Sequence, residues 1–95
     1  MNRTPIAITR GKTLSIIVRS RSKTYFQGKA EAISSKNDKG PFDVLPRHIH
    51  FISIIQDGVM VRTVEGENKH IPFPHGIIKV KDDTVEVYIG TEQKK

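Results

Sequence analysis

Asp38-Lys39-Gly40-Pro41-Phe42-Asp43-Val44-Leu45-Pro46-Arg47-His48-Ile49-His50-Phe51-Ile52-Ser53-Ile54-Ile55 sets dense turn chemistry directly before a run rich in β-branched residues. Gly40-Pro41 breaks regular structure, because glycine tolerates positive φ while proline fixes its own φ and pushes its predecessor out of the helical region. Pro46 follows after four residues. Between the prolines, Phe42, Val44 and Leu45 are too apolar for a surface loop, which predicts a brief extended segment pinned against a core at both ends. Phe51 to Ile55 predicts a buried strand.

Working outward from this stretch, the chain reads as strands and turns on both sides. Upstream, Leu14, Ile16 and Val18 alternate with Ser15, Ile17 and Arg19, a step of two that fits a strand. Ser20-Arg21-Ser22 reads as a turn, and Lys23 to Gly28 as a second strand, closed by a glycine where the chain bends or another backbone approaches. Ala30 to Asn37 reads as a third strand, and Asn37-Asp38-Lys39-Gly40 as a turn in which Asn and Asp bond their own backbone. Downstream, Gln56-Asp57-Gly58 predicts a hairpin turn before a strand over Val59 to Val64. Glu65-Gly66-Glu67-Asn68 turns the chain again. Pro72 and Pro74 confine Lys69 to Phe73 to a sheet edge or a bulge. Beyond Gly76, Ile78 and Val80 answer Val85, Val87 and Ile89 across an Asp82-Asp83 turn. No segment carries the three-and-four apolar spacing of a helix, so the expected fold is all-β, a sandwich or barrel of about eight to ten short, mostly antiparallel strands.

Composition narrows the function classes. Ninety-five residues suffice for one domain. There is no cysteine, which excludes a disulfide framework and any thiolate zinc site. No apolar run approaches the length needed to span a membrane, and Ile6, Ala7 and Ile8 are too few for a signal core. The expected organisation is a flexible basic arm over 1–12, a β domain over 13–90 and a charged tail over 91–95. The net charge is +6, yet seven cations precede the first acid, Glu31, so the rest of the chain carries −1. A basic front attached to a nearly neutral body fits a solubilising arm and a solvated first hairpin. An acidic partner or a nucleic acid would also suit it.

The same residues carry a family resemblance. Tyr25-Phe26-x-Gly28, the Gly40 turn leading to Phe42-Asp43-Val44-Leu45-Pro46-x-His48, Gly58, and His75-Gly76-Ile77-Ile78-Lys79-Val80 before Val85 to Ile89 resemble the N-terminal β-sandwich domain of the epsilon subunit of F-type ATP synthase. That resemblance implies a flattened β-sandwich on the central stalk, with the gamma subunit and the membrane-embedded c ring as partners. It also implies a peripheral place on the cytoplasmic side of the inner membrane, with no cofactor and no catalytic residue. The turn Asp38, Lys39, Gly40, Pro41 and Phe42 would face the c ring. Leu45, Pro46 and His48 would form the family loop, and Gly28, Gly58 and Gly76 would be structural. The sequence departs from the family in three places: Arg47 stands where glycine is usual, His75 replaces the first of paired glycines, and the C-terminal helical hairpin is missing. The inhibitory element and ATP site carried by that hairpin are therefore not assigned.

Two other chemistries are open to these residues. His48 and His50 share a strand face and, with His70 and His75, supply imidazoles, but neither a cysteine nor an evident supporting carboxylate joins them, so no metal site is expected and His48 is read as fixing its proline turn. Asp43 lies near a histidine without any recognisable nucleophile or phosphate loop, which argues against an enzyme. The alternative function is a small basic β domain binding single-stranded nucleic acid through exposed rings, for which Tyr25 and Tyr88 are the best placed of six aromatics.

Overall fold

A computed structural model describes residues 13–47 and 50–90. The expected arm over 1–12, the expected tail over 91–95 and His48 lie outside the described residues. Seven strands run in order among the described residues: β1 (Leu14–Arg19), β2 (Thr24–Asn37), β3 (Gly40–Val44), β4 (Phe51–Thr63), β5 (Asn68–Ile71), β6 (His75–Lys81) and β7 (Thr84–Ile89). Their hydrogen-bonded order is β3-β2-β1-β7-β6-β4-β5, with β4 also returning to β2.

Two long strands divide this order into two layers. The first half of β2 ladders with β1, while its second half lies between β3 and β4. Likewise the first half of β4 ladders with β6, and its second half lies between β5 and β2. One layer is therefore β2-β1-β7-β6-β4, and the other is β3-β2-β4-β5. All pairings are antiparallel except β1 with β7. The all-β sandwich expected from alternation is observed.

Alternation explains the layers. On β1, Leu14, Ile16 and Val18 point into the core, and on β6 and β7 Ile78, Val80, Val85, Val87 and Ile89 meet them. Ala30, Ile33, Val44, Val59 and Val61 fill the core from the other layer. All but Ile89 of these are at most 2 % exposed, so one continuous apolar interior holds both layers together.

Three local expectations are corrected. Among the described residues there are seven strands rather than eight to ten, because β2 and β4, at fourteen and thirteen residues, each run where two short strands were expected. Gly28 neither bends β2 nor admits another backbone: the β1 ladder passes through it in register opposite Ile16, and an added Cβ would meet only the Phe26 ring at 3.7 Å. Gln56-Asp57-Gly58 is not a hairpin. Asp57 and Gly58 take φ of 63° and 78°, and β4 continues beyond them as a bulge that carries the strand from one layer to the other.

That bulge is tied from three sides. The Asp57 amide donates to the Pro74 carbonyl at 3.2 Å, the Ser35 hydroxyl donates to the Gly58 carbonyl at 2.8 Å, and Lys36 pairs with the Asp57 carboxylate at 2.8 Å. A Cβ at Gly58 would lie 2.5 Å from the Ile71 carbonyl oxygen, so both the positive φ and the close backbone demand glycine. Gly76 has a similar steric reason, with the Tyr88 carbonyl oxygen 2.5 Å from its would-be Cβ. The remaining turns agree with the sequence. Asp82 and Asp83, at φ 50° and 62°, turn β6 into β7 with the two left-handed residues of a type I′ hairpin.

Candidate protein-docking surfaces

The hairpin joining β2 to β3 projects the first candidate surface. Asn37 pairs with Gly40, leaving Asp38 and Lys39 exposed at the tip. The Asn37 side chain accepts from the Lys39 amide at 2.9 Å, the local bond that makes asparagine a turn former, and donates to Ser53 at 3.0 Å. Gly40 has φ +117° and open space around it, so here the backbone conformation alone calls for glycine. Behind the tip Pro41 is exposed, whereas Phe42 is half-buried and meets Phe51 edge to face, with centroids 5.7 Å apart. The five residues expected to face a partner thus divide: Asp38, Lys39 and Pro41 are outward, Gly40 shapes the turn, and Phe42 anchors it.

The following loop corrects one expectation and explains a departure. Val44 and Pro46 are buried, but Leu45 is 51 % exposed and does not pin the segment to the core. A strand ending at Val44 sends the next side chain to the opposite face, and Leu45 obeys that alternation. Arg47, at the position where glycine is usual, has φ 70°, a left-handed conformation that explains the usual glycine. Its amide donates to Asp83 Oδ1 at 2.6 Å, and His50 Nε2 lies 3.1 Å from Asp82 Oδ1. Sequence reasoning saw Asp82-Asp83 only as a turn. In three dimensions its two carboxylates also hold the loop that precedes β4.

The second candidate surface was not singled out in the sequence. On the outer face of the five-stranded layer, Ile54 stands opposite Ile77, and Ile77 opposite Tyr88, one apolar row across β4, β6 and β7. Ile52 extends it beside Lys79. Ile52 and Ile54 are 67 % and 73 % exposed, and Ile77 and Tyr88 are 46 % exposed each. Apolar side chains scattered singly need no explanation, but a contiguous row on a sheet face marks an interaction site. The signal was available in the sequence as alternation with apolar residues on both faces of β4 and β6.

Other chemistries find less support. Among the described residues no three His, Cys, Asp or Glu side chains gather as a metal site. Tyr25 and Tyr88 are exposed, as expected, but they stand on β2 and β7 with β1 between them, and Lys23 already lies over the Tyr25 ring at 4.9 Å. Phe26, Phe42 and Phe51 pack against the core and Phe73 is buried, leaving no row of rings on which bases could stack. No helix among the described residues is long and apolar enough to cross a membrane.

Comparison with known proteins agrees with the architecture. An ATP synthase epsilon chain from a Prochlorococcus marinus strain is 27 % identical over 81 residues, covering 85 % of this chain and 60 % of that protein. One from Clostridium novyi is 29 % identical over 77 residues, covering 80 % and 59 %. The chain thus spans 52–60 % of the length of the curated relatives it matches. In a cryo-EM structure of the Euglena gracilis mitochondrial ATP synthase (OSCP, F1 and c-ring), one chain superposes with a TM-score of 0.75 at 18 % identity, over 81 % of this chain and 50 % of that one. In the Tetrahymena thermophila mitochondrial enzyme's central stalk and c-ring, the TM-score is 0.69 at 15 % identity, over 82 % and 63 %. At these identities the superpositions speak for the fold. The family profile described as "ATP synthase, Delta/Epsilon chain, beta-sandwich domain" matches residues 13–92, and the chain belongs to that family.

Proposed function

We propose that this chain is a non-catalytic central-stalk (rotor) element of an F-type ATP synthase, joining the gamma subunit to the c ring in proton-driven ATP synthesis. In this role it stays peripheral, on the cytoplasmic side of the inner membrane, and needs no cofactor. The reading rests on the family and on one observation: the row Ile54, Ile77 and Tyr88 is an apolar strip on one sheet face, suited to a protein partner rather than a small ligand. We assign that face to gamma and the Asp38-Lys39-Pro41 tip to the c ring, because the tip projects from the other layer and can meet a second partner at the same time.

The physical task of such an element is to pass torque without bending. A single close-packed interior shared by two layers, with β2 and β4 continuous between them, resists shear between the layers. The test is a pull-down of gamma and of the assembled ring with two variants. Ile54→Asp combined with Ile77→Asp is expected to weaken gamma binding at least about a hundredfold, as for charges placed in a desolvated interface centre. Pro41→Lys is expected to lower ring attachment and leave gamma binding intact. Undiminished gamma binding by the double variant would overturn the assignment of that face.

A further inference from the structure

The outer face of the five-stranded layer carries charge as well as its apolar row. The ladder registers set its outward residues in rows that cross the strands. Ile54, Ile77 and Tyr88 are continued on β1 by Arg19 and on β2 by Thr24. The adjoining row is Ile52, Lys79, Glu86, Ile17 and Gln27, and the one beyond it is Lys81, Thr84, Ser15 and Lys29. These rows hold the cations Arg19, Lys29, Lys79 and Lys81 against a single carboxylate, Glu86. Asp82 and Asp83 lie at the end of the face, where they hold His50 and the Arg47 amide.

Those cations have no partner of opposite sign. On the other layer Lys36 and Arg62 are each paired with a carboxylate, whereas among the described residues no carboxylate lies within ion-pair distance of the four on this face. Lys29 instead donates to the Ser15 hydroxyl at 3.2 Å. Arg19 is the cation set in line with the apolar row, directly beside Tyr88. It is half-buried, and its Nε makes a long contact of 3.4 Å to the Ser20 carbonyl. Its two terminal guanidinium nitrogens have no partner among the described residues.

We infer that Arg19 is the specificity-determining cation of this face: it takes a carboxylate of the gamma subunit, placed at the end of the apolar strip that covers Ile54, Ile77 and Tyr88. The inference rests on the assignment of this face to gamma and adds the chemistry that gamma must bring. A guanidinium fork grips a carboxylate through two parallel bonds, and a half-buried stem leaves less freedom to lose on binding. Three strand spacings separate Ile54 from Arg19, so the carboxylate stands about 14 Å from the gamma residue that covers Ile54. The charges also select among occupants. A second copy of the chain would bring the same excess of cations to the contact, and a uniformly anionic surface such as a lipid bilayer would meet Glu86 in the middle of the face. A protein can set one carboxylate over Arg19 and spare Glu86.

The test measures the affinity of the full chain for the gamma subunit over a range of salt. Arg19→Glu is expected to weaken binding at least about tenfold at low salt and to flatten the salt dependence, with the thermal midpoint unchanged. Should that variant melt early, Arg19→Gln decides in its place, with an expected loss of at least about threefold. Lys29→Gln, two rows from the apolar strip, is expected to change binding by less than about twofold. Exchange of one gamma carboxylate for Lys is expected to restore binding to Arg19→Glu, a rescue that a merely structural arginine does not allow. If no such exchange restores it, the inference falls. The Ile54→Asp and Ile77→Asp double variant separates this inference from the reading beneath it. Loss of gamma by the double variant, with wild-type affinity and salt dependence for Arg19→Glu, would overturn the inference alone, and undiminished binding by both would overturn the two together. Binding to phosphatidylserine vesicles that Arg19→Glu abolishes, with gamma binding unaffected, would overturn it in favour of a lipid surface.

Discussion

The outer faces of the two layers have opposite character although they enclose one interior. On the β3-β2-β4-β5 layer the outward groups find partners within the sheet: Ser34 donates to Asp43 at 2.6 Å, Arg62 pairs with Glu31 at 3.3 Å, and Met60 stands between Ser34 and His70. On the β2-β1-β7-β6-β4 layer the row Ile54, Ile77 and Tyr88 lies open, although β4 supplies residues to both faces. A strand that serves a polar surface after its bulge and an apolar one before it shows that the difference is not a property of the strand. Water suffices as neighbour for one layer, whereas the other presents a contiguous exposed apolar row, the kind of surface that marks an interaction site.

Substitutions in the shared interior test whether the two layers stand or fall together. If the layers form one cooperative unit, Ile78→Ala in the five-stranded layer and Ile33→Ala in the other should each cost about 2–5 kcal/mol, both side chains being fully buried. Chemical denaturation measures it. A single transition shifted by both is expected, and two separate transitions would show that the layers melt independently.

A second pair of substitutions probes the β3 end. Phe42→Ala should cost about 2–4 kcal/mol, since it removes a ring packed on the core and on Phe51. Leu45→Ala, at a half-exposed position, should cost less than about 1 kcal/mol. Equal losses would mean that Leu45 is covered in solution. Smaller still, Arg47→Gly should raise stability by up to about 1 kcal/mol, as relief of a left-handed backbone exceeds the added freedom of the unfolded chain. A lowered melting midpoint would show that the arginine side chain earns its position in some other way.

Much of this molecule was legible in the residues. Leu14, Ile16 and Val18, and the answering Val85, Val87 and Ile89, declare their strands by a step of two, and each points inward as read. The Asn37–Gly40 and Asp82-Asp83 turns follow from side chains that tolerate or stabilise turn geometry, and Pro72 does follow an edge strand. The hairpin tip is legible as a turn because its chemistry is local, whereas its candidacy as a site comes from the family resemblance. The apolar row was missed because Ile54, Ile77 and Tyr88 are far apart in the chain and become neighbours only through the β4-β6-β7 ladders.

The residues alone establish that the chain is strand and turn, where most turns fall and which face of β1 and β7 points inward, because alternation and turn preferences act over a few neighbouring residues; they misplace Leu45, Ile52 and Ile54, which are exposed. Whether a turn-like dipeptide ends a strand depends on partners from elsewhere in the fold. Asp57-Gly58 has the local preferences of a hairpin, yet bonds from Pro74, Ser35 and Lys36 hold it as a bend within β4. Those partners lie up to twenty-three residues away, beyond the reach of local preference.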